Sequence, residues 1–140
     1  MKYIFLLLLL PFASAAQNKK DSKIVITVAD TANIFNRIAL VLYEKGYSLD
    51  QKDEQLKFLA TKDKTITSAS IKVRCLVKDS TATITGEIAS NIKTKIMGVE
   101  VERVFLPVNY SVMKGSDMRA AWNELVAIAN LIGGQTSYSK

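Results

Sequence analysis

The sequence predicts a two-layer α+β fold, in which a curved antiparallel sheet carries two helices packed on one of its faces. Two observations support this prediction. Residues 69–89 alternate apolar and polar side chains across a two-residue connection, which is typical of a hairpin with one buried face. Apolar residues recur at intervals of three and four over residues 31–45 and 116–132, so each segment is expected to form a helix with one apolar stripe.

The first predicted elements are a strand and a helix. Residues 23–28 are rich in β-branched side chains, which favour a strand. Asp30 or Thr31 can cap the helix 31–45 that follows, because either side chain can accept a hydrogen bond from the first turn. Gly46 comes directly after this helix, where a left-handed C-terminal residue is expected.

The middle of the chain is predicted to be mostly sheet. A short strand at 47–49 leads into a polar turn at 50–55, and residues 56–61 then alternate as the next strand. The longest strands are 69–78 and 81–89, which are close enough in sequence to form a tight hairpin.

The last third of the chain leads into the second helix. Residues 91–98 mix lysines with Ile and Met, and predict a mobile loop or a bulged strand end. Residues 99–108 return to a strand pattern, which Pro107 should end or place at a sheet edge. Ser116 is expected to cap the helix 116–132.

The N-terminus has the three-part layout of a secretory signal peptide. Lys2 precedes the apolar run YIFLLLLL, and small residues follow it at the expected cleavage site. We therefore expect removal of residues 1–16, a flexible lead-in at 17–22, one domain at 23–134 and a polar tail at 135–140. The protein is predicted to be exported, either periplasmic or secreted, with no transmembrane segment left after cleavage.

Composition argues against catalysis. The chain has no histidine, which is the commonest general acid–base near neutral pH and the commonest transition-metal ligand. Its one cysteine, Cys75, lies in a strand pattern rather than at the cleavage site, so we predict a buried thiol, no disulfide and no lipid anchor. Loss of Lys2 leaves 18 of the 19 basic side chains against 13 acidic ones, a net charge of +5. We predict a non-enzyme without metal or cofactor, the alternative being a hydrolase that uses Glu100 and Glu102.

The order of elements resembles that of the helix-grip and TATA-binding-protein-like group of small α+β domains. The resemblance lies in the first strand and helix at 23–46, the hairpin 69–89 and the closing helix with Trp122. Exported members include the domains of the lipoprotein C subunit of the outer-membrane β-barrel assembly machine, from which this chain differs in lacking a lipobox cysteine. It is also similar to short exported proteins of unknown function in Bacteroidetes-type genomes. The resemblance implies binding of proteins, lipids or nucleic acids without selecting among them.

The first candidate binding site is the segment 91–98. Exposed Ile96 and Met97 can enter a partner groove or a lipid surface, while Lys93 and Lys95 meet anionic groups. This predicts an adaptor domain whose partner is another envelope protein or an anionic envelope surface. Strand addition at the edge 99–108 is a further way to bind it.

Two other pairs of residues complete the candidates. Lys72 and Arg74 lie on the outward face of the central hairpin, where the absence of interleaved aromatic residues argues against nucleic-acid binding. Trp122 and Tyr110 can line an apolar pocket between the helices and the sheet. This second hypothesis is a carrier of a lipid or another apolar small molecule.

Overall fold

The structure is a computed structural model, and residues 16–30, 32–111 and 113–140 are described. The predicted signal peptide therefore lies outside the described residues except for Ala16. Thr31, one of the two candidate helix caps, lies outside them as well. Within the described ranges, neither helix has the length and apolar character needed to cross a membrane.

The described residues form two helices and ten strands, and their class is α+β as predicted. In chain order the elements are β1 (Lys23–Thr27), α1 (Ile34–Glu44), β2 (Leu49–Asp53), β3 (Phe58–Thr61), β4 (Lys64–Thr65), β5 (Ala69–Lys78), β6 (Thr81–Ser90), β7 (Lys95–Ile96), β8 (Val99–Glu100), β9 (Leu106–Pro107), α2 (Asp117–Ile132) and β10 (Gln135–Ser139).

Eight of these strands form one antiparallel sheet in the order β10-β1-β6-β5-β3-β2, with β4 beside β5 and β9 beside β6. The sheet is not closed: β10 and β2 are the outermost strands of this order, and the short strands β4 and β9 form further edges beside β5 and β6. Strands β5 and β6 form the predicted central hairpin, paired without interruption from Ala69 opposite Ser90 to Lys78 opposite Thr81. Strands β7 and β8 pair with each other outside this sheet.

Both helices pack on the same face of the sheet, as the single apolar stripe of each helix predicts. The buried side chains alternate along the strands and meet the helix stripes in one core, which includes Ile24, Ile26, Ile38, Leu42, Ile71, Val73, Ala82, Ile84, Trp122, Leu125 and Ile128. Helix α2 lies very close to β6, since a Cβ atom at Gly86 would be 3.1 Å from Leu125 and 3.2 Å from Val108. Burial of this apolar surface, at about 25 cal/mol per Å², holds the two layers together.

The two helices begin differently. Ser116 accepts a hydrogen bond from the backbone N–H of Arg119 at 3.1 Å, so its predicted capping of α2 is confirmed. Helix α1 begins only at Ile34, and the carboxylate of Asp30 instead accepts from the N–H of Ala32 at 3.1 Å. The prediction that Asp30 caps α1 is therefore wrong, because this short turn uses the carboxylate before the helix starts.

The end of α1 is fixed by a Schellman motif. Gly46 has a φ of +84°, and its N–H donates to the carbonyl of Tyr43 at 2.9 Å. The N–H of Tyr47 donates to the carbonyl of Leu42 at 2.9 Å. This geometry satisfies two helix carbonyls and confirms the predicted role of Gly46.

A half-buried ion cluster then ties this end of α1 to α2. The carboxylate of Glu124 accepts from the Tyr47 hydroxyl at 3.1 Å and pairs with Lys45 at 3.1 Å and Lys64 at 3.4 Å. Burial raises the pKa of Glu124, but the two lysines and the tyrosine outweigh burial and leave the pKa below its ordinary value. Burial and the neighbouring carboxylate raise the pKa of Tyr47, so it remains a neutral donor.

The two edge strands replace segments predicted to lack regular structure. Most of β2 falls in the predicted polar turn 50–55, and β10 occupies most of the predicted polar tail 135–140. An edge strand is held by backbone hydrogen bonds to one neighbour, so its side chains can be polar and need not alternate. Gly134 allows the return to β1, because a Cβ atom there would lie 2.6 Å from the carbonyl oxygen of Thr27.

The predicted strand 99–108 is wrong as a continuous element. It is divided into β8 and β9, and residues 101–105 between them have no regular structure. Pro107 does lie at a sheet edge, paired with Glu87 of β6.

The predicted lead-in 17–22 is hydrogen-bonded to the domain. Asp21 is buried, its carboxylate accepts from the N–H of Asn18 at 2.7 Å, and its carbonyl accepts from the N–H of Tyr110 at 2.8 Å. These contacts give the segment a fixed place beside the start of β1.

Candidate functional site

Six exposed large apolar side chains lie in one segment, which we call the arm (residues 92–104). Its centre is the hairpin β7–β8, with Lys95 opposite Glu100 and Ile96 opposite Val99. The predicted mobile loop or bulged strand end at 91–98 is thus the first half of a hairpin. The N–H of Val101 donates to the carbonyl of Thr94 at 2.9 Å and extends the pairing beyond these two residue pairs.

The arm is amphipathic. Paired residues of an antiparallel hairpin lie on the same face, and successive residues alternate between faces. One face therefore carries Ile96, Val99 and Val101, of which Ile96 is 61% and Val99 is 68% exposed. Ile92 and Val104, at the two ends of the arm, are also exposed. The apolar face of the arm is thus open to solvent.

The opposite face of the arm carries charges that compensate one another. Alternation places Lys93 and Lys95 there together with Glu100 and Glu102. The ammonium of Lys93 lies 3.3 Å from the carboxylate of Glu100, and Lys95 is opposite Glu100 in the register. The predicted lysines are therefore brought together with two carboxylates, which lowers the attraction of this face for an anionic surface.

Met97 forms the tip of the arm and is 99% exposed. With Gly98 it makes the two-residue connection of the hairpin, and both residues have positive φ angles of 52° and 81°. Such a turn normally uses Asn-Gly, because a residue with a bulky side chain adopts a positive φ at a cost. The tip thus presents a long, flexible apolar side chain at a strained position.

The root of the arm is fixed to the sheet by Arg103. Its guanidinium donates to the side chain of Asn91 at 2.8 Å and to the carboxylate of Asp63 at 3.2 Å. Ser70 of β5 donates to the same Asn91 oxygen at 2.8 Å. These contacts orient the arm without covering its apolar face.

The two basic residues of the central hairpin have partners within the protein. Arg74 pairs with Glu87 at 3.2 Å, and Lys72 is opposite the same Glu87 in the register. The Lys72 ammonium also lies 4.1 Å from the ring centroid of Phe105. Sequence reasoning missed Phe105, because only the fold brings this residue against β5. Both basic side chains thus have partners within the sheet, and Lys72 also contacts the segment that follows the arm.

A hollow of about 620 Å³ lies beside the arm and includes both glutamates of the hydrolase alternative. It is lined by Asn91, Ile92, Lys93, Glu100, Val101, Glu102 and Arg103. Glu100 is exposed and already paired with Lys93, and nothing among the described residues buries either carboxylate to prepare it as an acid. The described residues contain no group of three side chains spaced to hold a metal ion.

Trp122 and Tyr110 meet in the core, as the carrier hypothesis requires, but their rings are in direct edge contact and a third ring, that of Tyr138, also packs against Trp122. Trp122 is fully buried, and its ring centroid lies 6.0 Å from that of Tyr110 and 5.8 Å from that of Tyr138. Tyr138 belongs to β10 and was not a candidate, since the tail was not predicted to be a strand. Among the described residues, the indole N–H of Trp122 has no acceptor.

Cys75 is buried on the inner face of β5, as predicted. Burial in the core raises the pKa of its thiol to about 12. The thiolate needed for nucleophilic chemistry is therefore scarce at neutral pH.

Comparison with known proteins adds no family to this description. No protein-family model matches the sequence, and no curated protein is significantly similar to it. The arm, defined by its geometry, is the candidate functional site.

Proposed function

We propose that this protein is a non-catalytic, exported binding domain that captures another envelope protein through the arm. The observation that supports this most strongly is the amphipathic hairpin β7–β8, whose apolar face is open to solvent. An isolated two-stranded hairpin is marginally stable in water and gains stability when its apolar face is covered. Contiguous exposed apolar surface also marks interaction sites in folded proteins.

A protein fits this surface better than an anionic membrane or polymer. Electrostatic binding to an anionic surface needs cations that are free of local partners. Lys93 is paired with Glu100, and Lys95 lies beside the same carboxylate. The apolar side chains would supply most of the binding free energy, and the balanced charges would set the orientation of the partner.

The direct test is site-specific photo-crosslinking in the native host. A photoreactive residue replaces Val99 on the apolar face of the arm, and Leu40 on α1 serves as control because it is similarly exposed. We expect one discrete adduct from position 99 and none from position 40. The double substitution Ile96→Ser with Val101→Ser should abolish that adduct while the circular dichroism spectrum stays unchanged.

Substitutions on the charged face are the matched control. Lys95→Ser with Glu100→Ser removes one charge of each sign from the same arm and leaves the apolar side chains in place. Capture should fall much less than for the apolar pair. Equal loss from both double variants, or equal crosslinking at positions 99 and 40, would contradict the proposal.

The carrier hypothesis is the second candidate, and the unpaired indole N–H of Trp122 is what favours it. A ligand with a polar atom could accept this hydrogen bond, provided that Tyr110 or Tyr138 moved aside. Titration with a fatty acid would then shift the fluorescence of Trp122, which is the single tryptophan of the chain. A flat titration would count against the carrier hypothesis and leave the arm as the binding surface.

A further inference from the structure

The two outermost strands of the main sheet, β2 and β10, differ in their protection against pairing with another strand. Strand β2 carries charged side chains at Asp50, Lys52 and Asp53. Its pairing with β3 also shifts register between Leu49 and Gln51. Charges and irregularities of this kind keep edge strands from adding further strands.

Strand β10 has none of these features. Its five residues, QTSYS, carry no charge, and they pair with β1 in one unbroken register from Gln135 opposite Thr27 to Ser139 opposite Lys23. Within the described residues β10 pairs with β1 alone, so its other side presents backbone N–H and C=O groups for a further strand.

We propose that β10 pairs antiparallel with β10 of a second copy of this chain, about a two-fold axis at Ser137. The two main sheets then join into one continuous sheet across the dimer. In this register Thr136 of each copy faces Tyr138 of the other, and Gln135 faces Ser139. Two-fold symmetry uses the same surface on both copies, so the contact closes after two chains.

The sequence of β10 is complementary to itself in this arrangement. A pair of an aromatic and a β-branched residue is one of the favourable cross-strand pairs. Tyr138 is already half-buried against Trp122, so it is ordered before the second copy arrives. Lys140 would face Gly134, whereas a parallel, in-register arrangement would bring the two Lys140 side chains together. The antiparallel register thus avoids like charges.

The first test is sedimentation velocity of the exported protein over a range of concentrations, with substitutions on both edges. We expect the wild type to shift from one to two chain masses as concentration rises. Ser137→Lys should remain at one chain mass, because two lysines would then lie opposite each other on the axis. Gln51→Lys, the same change on the exposed β2 edge, should leave the dimer unchanged.

A second test does not require the fold to tolerate a lysine at position 137. In Ser137→Cys the two-fold axis places the new thiols opposite each other, at a Cα separation suited to a disulfide. Mild oxidation should give a covalent dimer, whereas Gln51→Cys should not, and buried Cys75 should not compete. A wild type that stays at one chain mass at all concentrations, a dimer that persists in Ser137→Lys, or equal crosslinking of the two cysteine variants would overturn the proposal.

Discussion

The central hairpin β5–β6 and the arm hairpin β7–β8 have the same local pattern and opposite surroundings. Both are antiparallel, both turn through two residues, and both alternate apolar with polar side chains. The apolar face of β5–β6 is covered by α2, whereas the apolar face of the arm is exposed. Alternation therefore indicates a strand with two unlike faces, and the rest of the fold decides whether the apolar face is covered.

Truncating one isoleucine in each hairpin should give the largest difference between them in the loss of free energy of unfolding. Ile84→Ala leaves a cavity in the core, so we expect a loss of about 2–5 kcal/mol in the free energy of unfolding. Ile96→Ala should change it by less than about 0.5 kcal/mol, because that side chain is exposed. Urea denaturation of both variants measures this. Similar losses would show that the arm is covered within the monomer and would remove the basis for a partner.

Adding a methyl group at the centre of β6 tests how tightly the covered face of the central hairpin is packed, because it adds volume where Ile84→Ala removes it. Gly86→Ala would place its Cβ atom 3.1–3.2 Å from Leu125 and Val108. We expect it to cost about 1–3 kcal/mol, because α2 would have to move. The control Gly98→Ala at the tip meets no neighbouring atom but is strained by its positive φ, so it should affect the arm locally. Thermal unfolding that left Gly86→Ala as stable as wild type would show that the layers are loosely packed.

The half-buried ion cluster around Glu124 should contribute more to the free energy of unfolding than the exposed Lys93–Glu100 pair of the arm. Glu124→Gln should cost about 1–3 kcal/mol at pH 7, because Lys45, Lys64 and Tyr47 lose a charged acceptor. Because its pKa is lowered by folding, ionised Glu124 stabilises the protein above the unfolded-state pKa, and this stabilisation is lost as the pH falls through the folded-state pKa. The difference between variant and wild type should therefore shrink in acid. Glu100→Gln should cost at most about 1 kcal/mol, because its ion pair with Lys93 is exposed.

The smallest expected effect is at the tip of the arm. Met97→Asn should relieve the cost of the positive φ and stabilise the arm by about 0.5–1 kcal/mol. Hydrogen exchange of the Val101 amide should then slow about two- to fivefold, while global stability stays unchanged. The same variant should weaken partner capture, because the tip loses its apolar side chain. Stronger arm pairing together with unchanged capture would place the contact on the apolar face alone.

The site was predictable as a segment but not as a surface. The residues Lys93, Lys95, Ile96 and Met97 stand out in the sequence, because apolar and basic side chains are mixed there without a helical period. The pairing of Lys95 with Glu100, and hence the separation of charged from apolar faces, depends on the turn at Met97 and Gly98. This turn is hard to predict from the sequence, because Met97 occupies the position where a two-residue turn normally has asparagine.

The sequence predicts the α+β class, both helix stripes, the cap at Ser116 and the central hairpin from Ala69 to Ala89. Each of these depends on contacts between neighbours or on a repeat that burial imposes on a single segment. The long-range packing of the fold makes polar β2 and β10 edge strands, brings Tyr138 against Trp122 and leaves the arm uncovered. An edge strand is held by backbone hydrogen bonds to a segment distant in sequence, and these bonds require no particular side-chain pattern, so the sequence of the strand does not reveal it.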